Sequence, residues 1–291
     1  MKRAFLVLIL SVLAFSGLVA LLCFAFTYGF PGGPIDPTFA QFGSEDWLNI
    51  RQIVISSESA RIEFLESYSG QVEIGQYYAL RKSIKIDGQA LYISVGKDID
   101  SLVIRLPDER MKYDIYIRST TGACEFKSLS MGNVHICTVN ASAYFSGVDC
   151  DTLVFMSIYS DVYIANSRIH LISIESHTGD AHMRAAFREA KVYVRYGNLY
   201  FTPLEEFSRI SIRTICGNAN LNLPAIYGYY LELKSTKFDA LLGDFDFEYR
   251  KSYPNIYLYG DESITINAET LFGSIIANKE KPGIRNSENE E

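Results

Sequence analysis

The chain has no basic stripe, no nucleophile-and-base phrase and an odd number of cysteines, and each shortage closes off a class of function. Its 27 lysines and arginines are outnumbered by 34 acids, giving a net charge of −7. Phosphate binding needs a basic surface, so nucleic acid is excluded as a partner. No Ser-His-Asp arrangement and no phosphate-loop phrase occurs. Histidines number four, and two of them, His177 and His182, straddle a turn instead of sharing a helix face. They read as solvated edge residues, not as a metal pair.

What the chain does have is one short pattern repeated from Lys112 to Phe245. Turn centres fall at Gly122, Ala141, Ser160, Gly179, Gly197, Gly217 and Phe238, at intervals of 19, 19, 19, 18, 20 and 21 residues. A fixed period of this size is the mark of a repeat architecture. Five residues before each centre stand Ile117, Ile136, Phe155, Ile174, Val192, Ile212 and Leu233. Ser119, Thr138, Ser157, Ser176, Val194, Thr214 and Ser235 follow two places later. After the turn come Cys124, Ala143, Val162, Ala181, Leu199, Ala219 and Ala240, then Phe126, Phe145, Ile164, Met183, Phe201, Leu221 and Leu242. A period of two places these columns on one face of their strands, and the 3.6 spacing of a helix is absent. One rung of two short strands cannot bury its apolar side alone, so neighbouring rungs must stack and share a core.

The expectation is therefore an all-β, single-stranded β-solenoid with rungs of about 19 residues, preceded by one N-terminal transmembrane helix. A sandwich of hairpins is the runner-up. Residues 51–66 already fit the repeat around Ala60. A shorter copy is expected at Ile84, Ile86, Leu91 and Ile93, and Leu102–Pro107 gives a further strand. Beyond Phe245 the period loosens and recovers at Ile266, Ala268, Gly273, Ile275 and Ala277. Trp47, the single tryptophan, reads as a cap over the open end of the core.

The remaining segments divide the chain. Lys2 and Arg3 precede an uncharged run from Ala4 through Phe26. As a helix that run spans about 35 Å, enough for a bilayer core. Residues 1–28 are expected as a membrane anchor, residues 29–46 as a linker rich in Pro and Gly, residues 47–278 as the β domain and residues 279–291 as a disordered acidic tail. The two basic residues should stay cytoplasmic, which sends the β domain across the membrane; secretion after signal-peptide cleavage is the alternative. Without its first thirty residues the chain carries −9. Leu22 stands where a lipoprotein signal wants a small residue, so Cys23 reads as ordinary packing in the anchor.

The other cysteines are Cys124, in the inward small column, Cys137, on the outward parity, and Cys150 and Cys216, in or beside turns. None shares a column with another, so thiols without disulfides are expected. That expectation is in tension with an oxidising compartment.

The phrase Ile-x-Ile-x-Ser/Thr-x-x-Gly-Asp/Asn-x-x-x-Leu, clearest at Ile172–Met183 and Ile210–Leu221, resembles the bacterial putative-adhesin domain of unknown function. So does the strand Leu102–Pro107. The Gly-Asp signature is blurred at Asn140, Tyr196 and Phe238. The resemblance implies a cell-envelope protein with an N-terminal membrane segment, in some cases encoded beside envelope-stress systems. It implies no activity.

Two columns compete as sites. Asp161, Asp180, Asn198, Asn218 and Asp239 follow the turn centres. An Asx-turn ladder explains them, with calcium at Asp161 and Asp180 as the weak metal alternative. On the outward parity, Tyr144, Tyr163, His182 and Tyr200 form a row that either stabilises the sheet or offers a platform to a sugar or a partner's apolar surface. A glycan-cleaving site would need gathered carboxylates, and Glu125, Glu175, Glu189, Glu205 and Glu206 are scattered. The sequence is thus read as a non-enzymatic, structural or adhesive envelope protein without cofactor, binding an unidentified protein or glycan through a sheet face. An accessory role in envelope-stress signalling is the alternative, and a polysaccharide-cleaving β-helix enzyme is the reading least supported. Open sheet ends would allow end-to-end self-association.

Overall fold

The structure is a computed structural model, and it describes residues 39–40, 44–68, 70–76, 82–97, 99–107, 112–205, 208–235, 240–242, 248–252 and 255–280. The apolar run 4–26, most of the expected linker, the turn centre Phe238 and the tail beyond residue 280 lie outside these. Among the described residues no helix is long and apolar enough to cross a membrane. Within the stretch expected as linker, Phe39–Ala40 pairs antiparallel with Gln71–Gln76, and Ser44–Asn49 forms a short helix.

All strands belong to one hydrogen-bonded system folded into two faces. Parallel, in-register pairing from rung to rung excludes the sandwich of hairpins. Ile117 lies opposite Ile136, Ile136 opposite Phe155, Phe155 opposite Ile174, Ile174 opposite Val192, and Val192 opposite Ile212. On the second face Cys124, Ala143, Val162, Ala181, Leu199 and Ala219 stack in the same way. Both columns are buried, with Phe126, Phe145, Phe155 and Phe201 among the most enclosed side chains. Phe64, Phe126 and Phe145 stack face to face at 4.8 and 4.7 Å.

The turn between the faces explains its own residues. A Cβ on Gly197 would lie 1.9 Å from the carbonyl oxygen of Gly179, and one on Gly217 would lie 1.7 Å from that of Gly197. The turns at Gly179, Gly197 and Gly217 therefore touch backbone to backbone, and there only glycine leaves room. The Ser/Thr column ties the same turns: Thr138 Oγ1 accepts from the Ala141 N–H at 2.8 Å, and Thr270 Oγ1 donates to the Gly217 carbonyl at 2.9 Å.

Chain order and stack order part company at both ends. Rung 264–279 lies between rungs 209–223 and 229–242, so Ala268, not Leu233, faces Ile212. At the other end, rung 52–67 is clamped between 90–107 and 114–127. Ile84 and Ile86 belong to no parallel rung: Lys82–Asp87 and Ala90–Val95 form an antiparallel hairpin. The two residues between these strands, Gly88 at φ 61° and Gln89, suit a tight hairpin turn and not a rung corner. The ends are likewise not the open rungs expected from the repeat. Lys82–Asp87 and Gln71–Gln76 line the first, and Asn255–Tyr259 followed by Glu248–Ser252 lines one face of the last. Irregular antiparallel borders of this kind blunt a sheet edge. Trp47 is buried, edge-on to Tyr113 at 6.2 Å and packed over Gly70, as a cap should be.

Candidate functional site

The outward aromatic row forms one ladder. Tyr144 stacks on Tyr163 at 5.0 Å and 1°, Tyr163 on His182 at 4.7 Å and 12°, and His182 on Tyr200 at 4.4 Å and 9°. Parallel register produces this, because each strand places the same outward position about 4.8 Å above the last. Short side chains stand beside much of the ladder: Ser142, Asp161, Asp180 and Asn198 on one side, Ser146, Ala165 and Thr202 on the other. The rings thus make a ridge about 14 Å long. Burial, then the Asp161 carboxylate, pushes the Tyr163 hydroxyl above its usual range; that hydroxyl donates to Asp161 Oδ2 at 3.4 Å.

Stacking decides what the ridge can bind. Ring faces are turned toward one another, so the surface offered to solvent is ring edges and hydroxyls. Only the lower face of Tyr144 and the upper face of Tyr200 lack an aromatic neighbour; Glu125 and Asn220 stand there in register. Sequence reasoning missed that this column runs on into Glu125 and Glu63. Burial raises the Glu125 carboxyl, but hydrogen bonds from Arg61 and Lys127 outweigh it and hold the group below the usual range. The continuation is a salt-bridged end, with Arg61 at 2.8 Å and Lys127 at 3.2 Å from Glu125.

The acidic column is a backbone acceptor ladder. Asp161 Oδ1 accepts from Asp180 N at 2.7 Å, Asp180 Oδ1 from Asn198 N at 2.7 Å, Asn198 Oδ1 from Asn218 N at 3.1 Å, and Asn218 Oδ1 from Ser274 N at 2.9 Å. Each side chain serves the next rung, where an Asx turn would serve its own backbone. Asp239 lies outside the described residues. The Oδ1 atoms of Asp161 and Asp180 are thus engaged, and among the described residues no group of three or more His, Cys, Asp or Glu could hold a metal.

The other expected residues disperse. Glu189 pairs with Lys191 and Glu205 with Arg168, while Glu206 lies outside the described residues. His182 belongs to the ladder, whereas His177 sits on the opposite face beside Tyr159 and Tyr196. Cys124, Cys137, Cys150 and Cys216 form no disulfide. Cys150 lies beside the bend at Gly147, as the second residue of the strand Asp149–Tyr159, and is buried, its thiol donating to the Gly132 carbonyl at 3.1 Å. Burial pushes the thiols of Cys124 and Cys150 up to about 12.

Set beside known proteins, residues 50–255 match the family pattern described as Toastrack DUF4097. The chain belongs to this Toastrack family. Two solved structures align with the chain. A putative adhesin from Bacteroides fragilis aligns at 12% identity and a TM-score of 0.50, covering 79% of this chain and 92% of that one. A putative cell adhesion protein from Clostridium sporogenes aligns at 12% identity and a TM-score of 0.24, covering 83% and 97%. No curated protein matches the chain. At such identity the Bacteroides structure attests to the Toastrack fold alone.

Proposed function

We propose that this Toastrack protein is a non-enzymatic adhesive or structural protein of the cell envelope, held by residues 4–26 and contacting its partner through the tyrosine ridge. The observation that carries the reading is the ladder Tyr144, Tyr163, His182 and Tyr200, with short side chains beside much of it on a regular sheet face. The adhesin names of its structural neighbours are in keeping with it. Lys2 and Arg3 ahead of the apolar run favour a single-pass anchor with the β domain outside.

Ridge geometry favours a protein partner over a glycan. A sugar ring stacks on an aromatic face, and here the faces are spent on one another. Ring edges with hydroxyls instead suit the apolar and polar mix of a protein surface, where tyrosine is a frequent anchor. The test is a pull-down from intact envelopes with the full-length chain and with Tyr144→Ala/Tyr163→Ala/Tyr200→Ala, read by mass spectrometry and glycan analysis. Capture of a protein that disappears with the tyrosines is expected. Identical capture by both would reject the ridge, and ridge-dependent capture of a glycan would reject the protein partner.

A further inference from the structure

A second feature lies on the opposite face, beside the turn, and the tyrosine ridge does not use it. Arg195 occupies an outward position near the end of the strand Glu189–Tyr196, yet its side chain is only 7% exposed. It is the one charged side chain buried among the described residues. Its Nε is sealed from solvent with no hydrogen-bond partner, and among the described residues no carboxylate forms an ion pair with it. A guanidinium keeps its charge at any physiological pH, and a charge so nearly enclosed without a counter-ion favours an anion beside it.

The surroundings are specific. Tyr196 turns its ring to the guanidinium, with Cζ 5.4 Å from the centroid. His177 stands opposite Arg195, between the paired residues Ser176–Val194 and Thr178–Tyr196. Its imidazole tilts against Tyr196 at 5.3 Å, meets Tyr159 edge-on at 6.4 Å and lies 3.2 Å from the Thr178 hydroxyl through Nδ1. Burial, then the nearby Arg195, holds His177 below its ordinary range, so at neutral pH the ring is an uncharged donor or acceptor. The local charge is thus a single positive one.

We propose that Arg195, with His177 and Thr178, binds the carboxylate of a ring-bearing acid framed by Tyr159 and Tyr196. A planar guanidinium fork matches two carboxylate oxygens, and one positive charge beside a neutral imidazole balances a monoanion. A dianionic phosphate would leave a negative charge uncompensated in a chain of net −7. The ring is favoured because Tyr159, 55% exposed, and the half-buried Tyr196 stand at the rim of the same cluster.

The experiment is a titration of the full-length protein with acetate, glucuronate and benzoate at constant ionic strength, with chloride as control. Labelled histidine is read by NMR, which has four residues to resolve. Saturable shifts confined to His177 are expected for the carboxylates and none for chloride, with glucuronate or benzoate tighter than acetate. Arg195→Gln should abolish the shifts. Arg195→Lys, which keeps the charge should the glutamine variant fail to fold, should weaken binding about tenfold through loss of the fork. No saturable shift in the unaltered protein, or equal binding in either variant, would overturn the site. Acetate binding as tightly as the ring acids would overturn the framing by the two tyrosines.

Discussion

The carboxylate of Asp180 reaches past its own turn to accept the backbone N–H of Asn198, one rung on, at 2.7 Å. An acceptor that serves another rung holds the stack together, and its removal strands a partly buried donor. Asp180→Ala should therefore cost about 1–3 kcal/mol, and Asp180→Asn, which keeps the acceptor oxygen, well under half of that. Urea denaturation of the two variants checks the difference. Because the Oδ1 atoms of Asp161 and Asp180 serve the next rung and no third acidic ligand gathers there among the described residues, adding calcium or a chelator is expected to leave the melting temperature unchanged. A rise with calcium would restore the metal reading.

Ladder position predicts an order of stability. Tyr163 stacks on two neighbours and Tyr144 on one. At about 0.5–1.5 kcal/mol for each aromatic contact, Tyr163→Ala should destabilise roughly twice as much as Tyr144→Ala through lost stacking. Equal losses in thermal denaturation would mean that the rings are ordered by the sheet and contribute little themselves.

Much of this architecture was legible because strand alternation and a constant period place like above like. The columns from Ile117 to Ile212 and from Tyr144 to Tyr200 needed nothing else. Stack order at the ends could not be read in that way. Rung 264–279 carries the same inward signature as rung 229–242, and the choice between them rests on Asn255–Tyr259 pairing antiparallel with Tyr229–Ser235, a contact with no local mark. The acceptors of the Asx column were recognised as turn residues, but whether they bond inward or onward depends on rung spacing. Arg195 was passed over because outward parity suggests exposure, whereas it is buried beside the ring of Tyr196.

Gly197 separates steric from conformational cost. Gly197→Ala drives a Cβ into the carbonyl of Gly179, backbone against backbone, and should destabilise by about 3 kcal/mol or more. Gly88→Ala meets nothing within 4 Å and carries only the strain of φ +61°, about 1 kcal/mol. Chemical denaturation of both variants tests the ordering, and a Gly197 loss no larger than that at Gly88 would show that the turns can separate freely.

Thiol reactivity should divide by burial. Cys137 and Cys216, half-buried, should react with a thiol reagent at pH 8 well before Cys124 and Cys150, which are buried and whose thiols sit at about 12. The folded state disfavours both thiolates relative to the unfolded chain. The corresponding stability is fully present below the ordinary thiol value of 9.0 and is lost as pH rises from there toward about 12. Cys124→Ser should flatten that alkaline loss. An unchanged pH profile would place its source elsewhere.

The two interleaved ends bear on how the molecule meets force. The first and last parallel rungs in chain order, 52–67 and 264–279, are each gripped on both sides by rungs from elsewhere in the chain. A pull along the chain at either end must therefore slide a strand past two neighbours at once, breaking its ladder bonds together, instead of peeling an outermost strand one bond at a time. The same threading makes synthesis order matter. The slot between rungs 209–223 and 229–242 stays empty until residue 279 has been made, so this part of the stack cannot close in the order of synthesis.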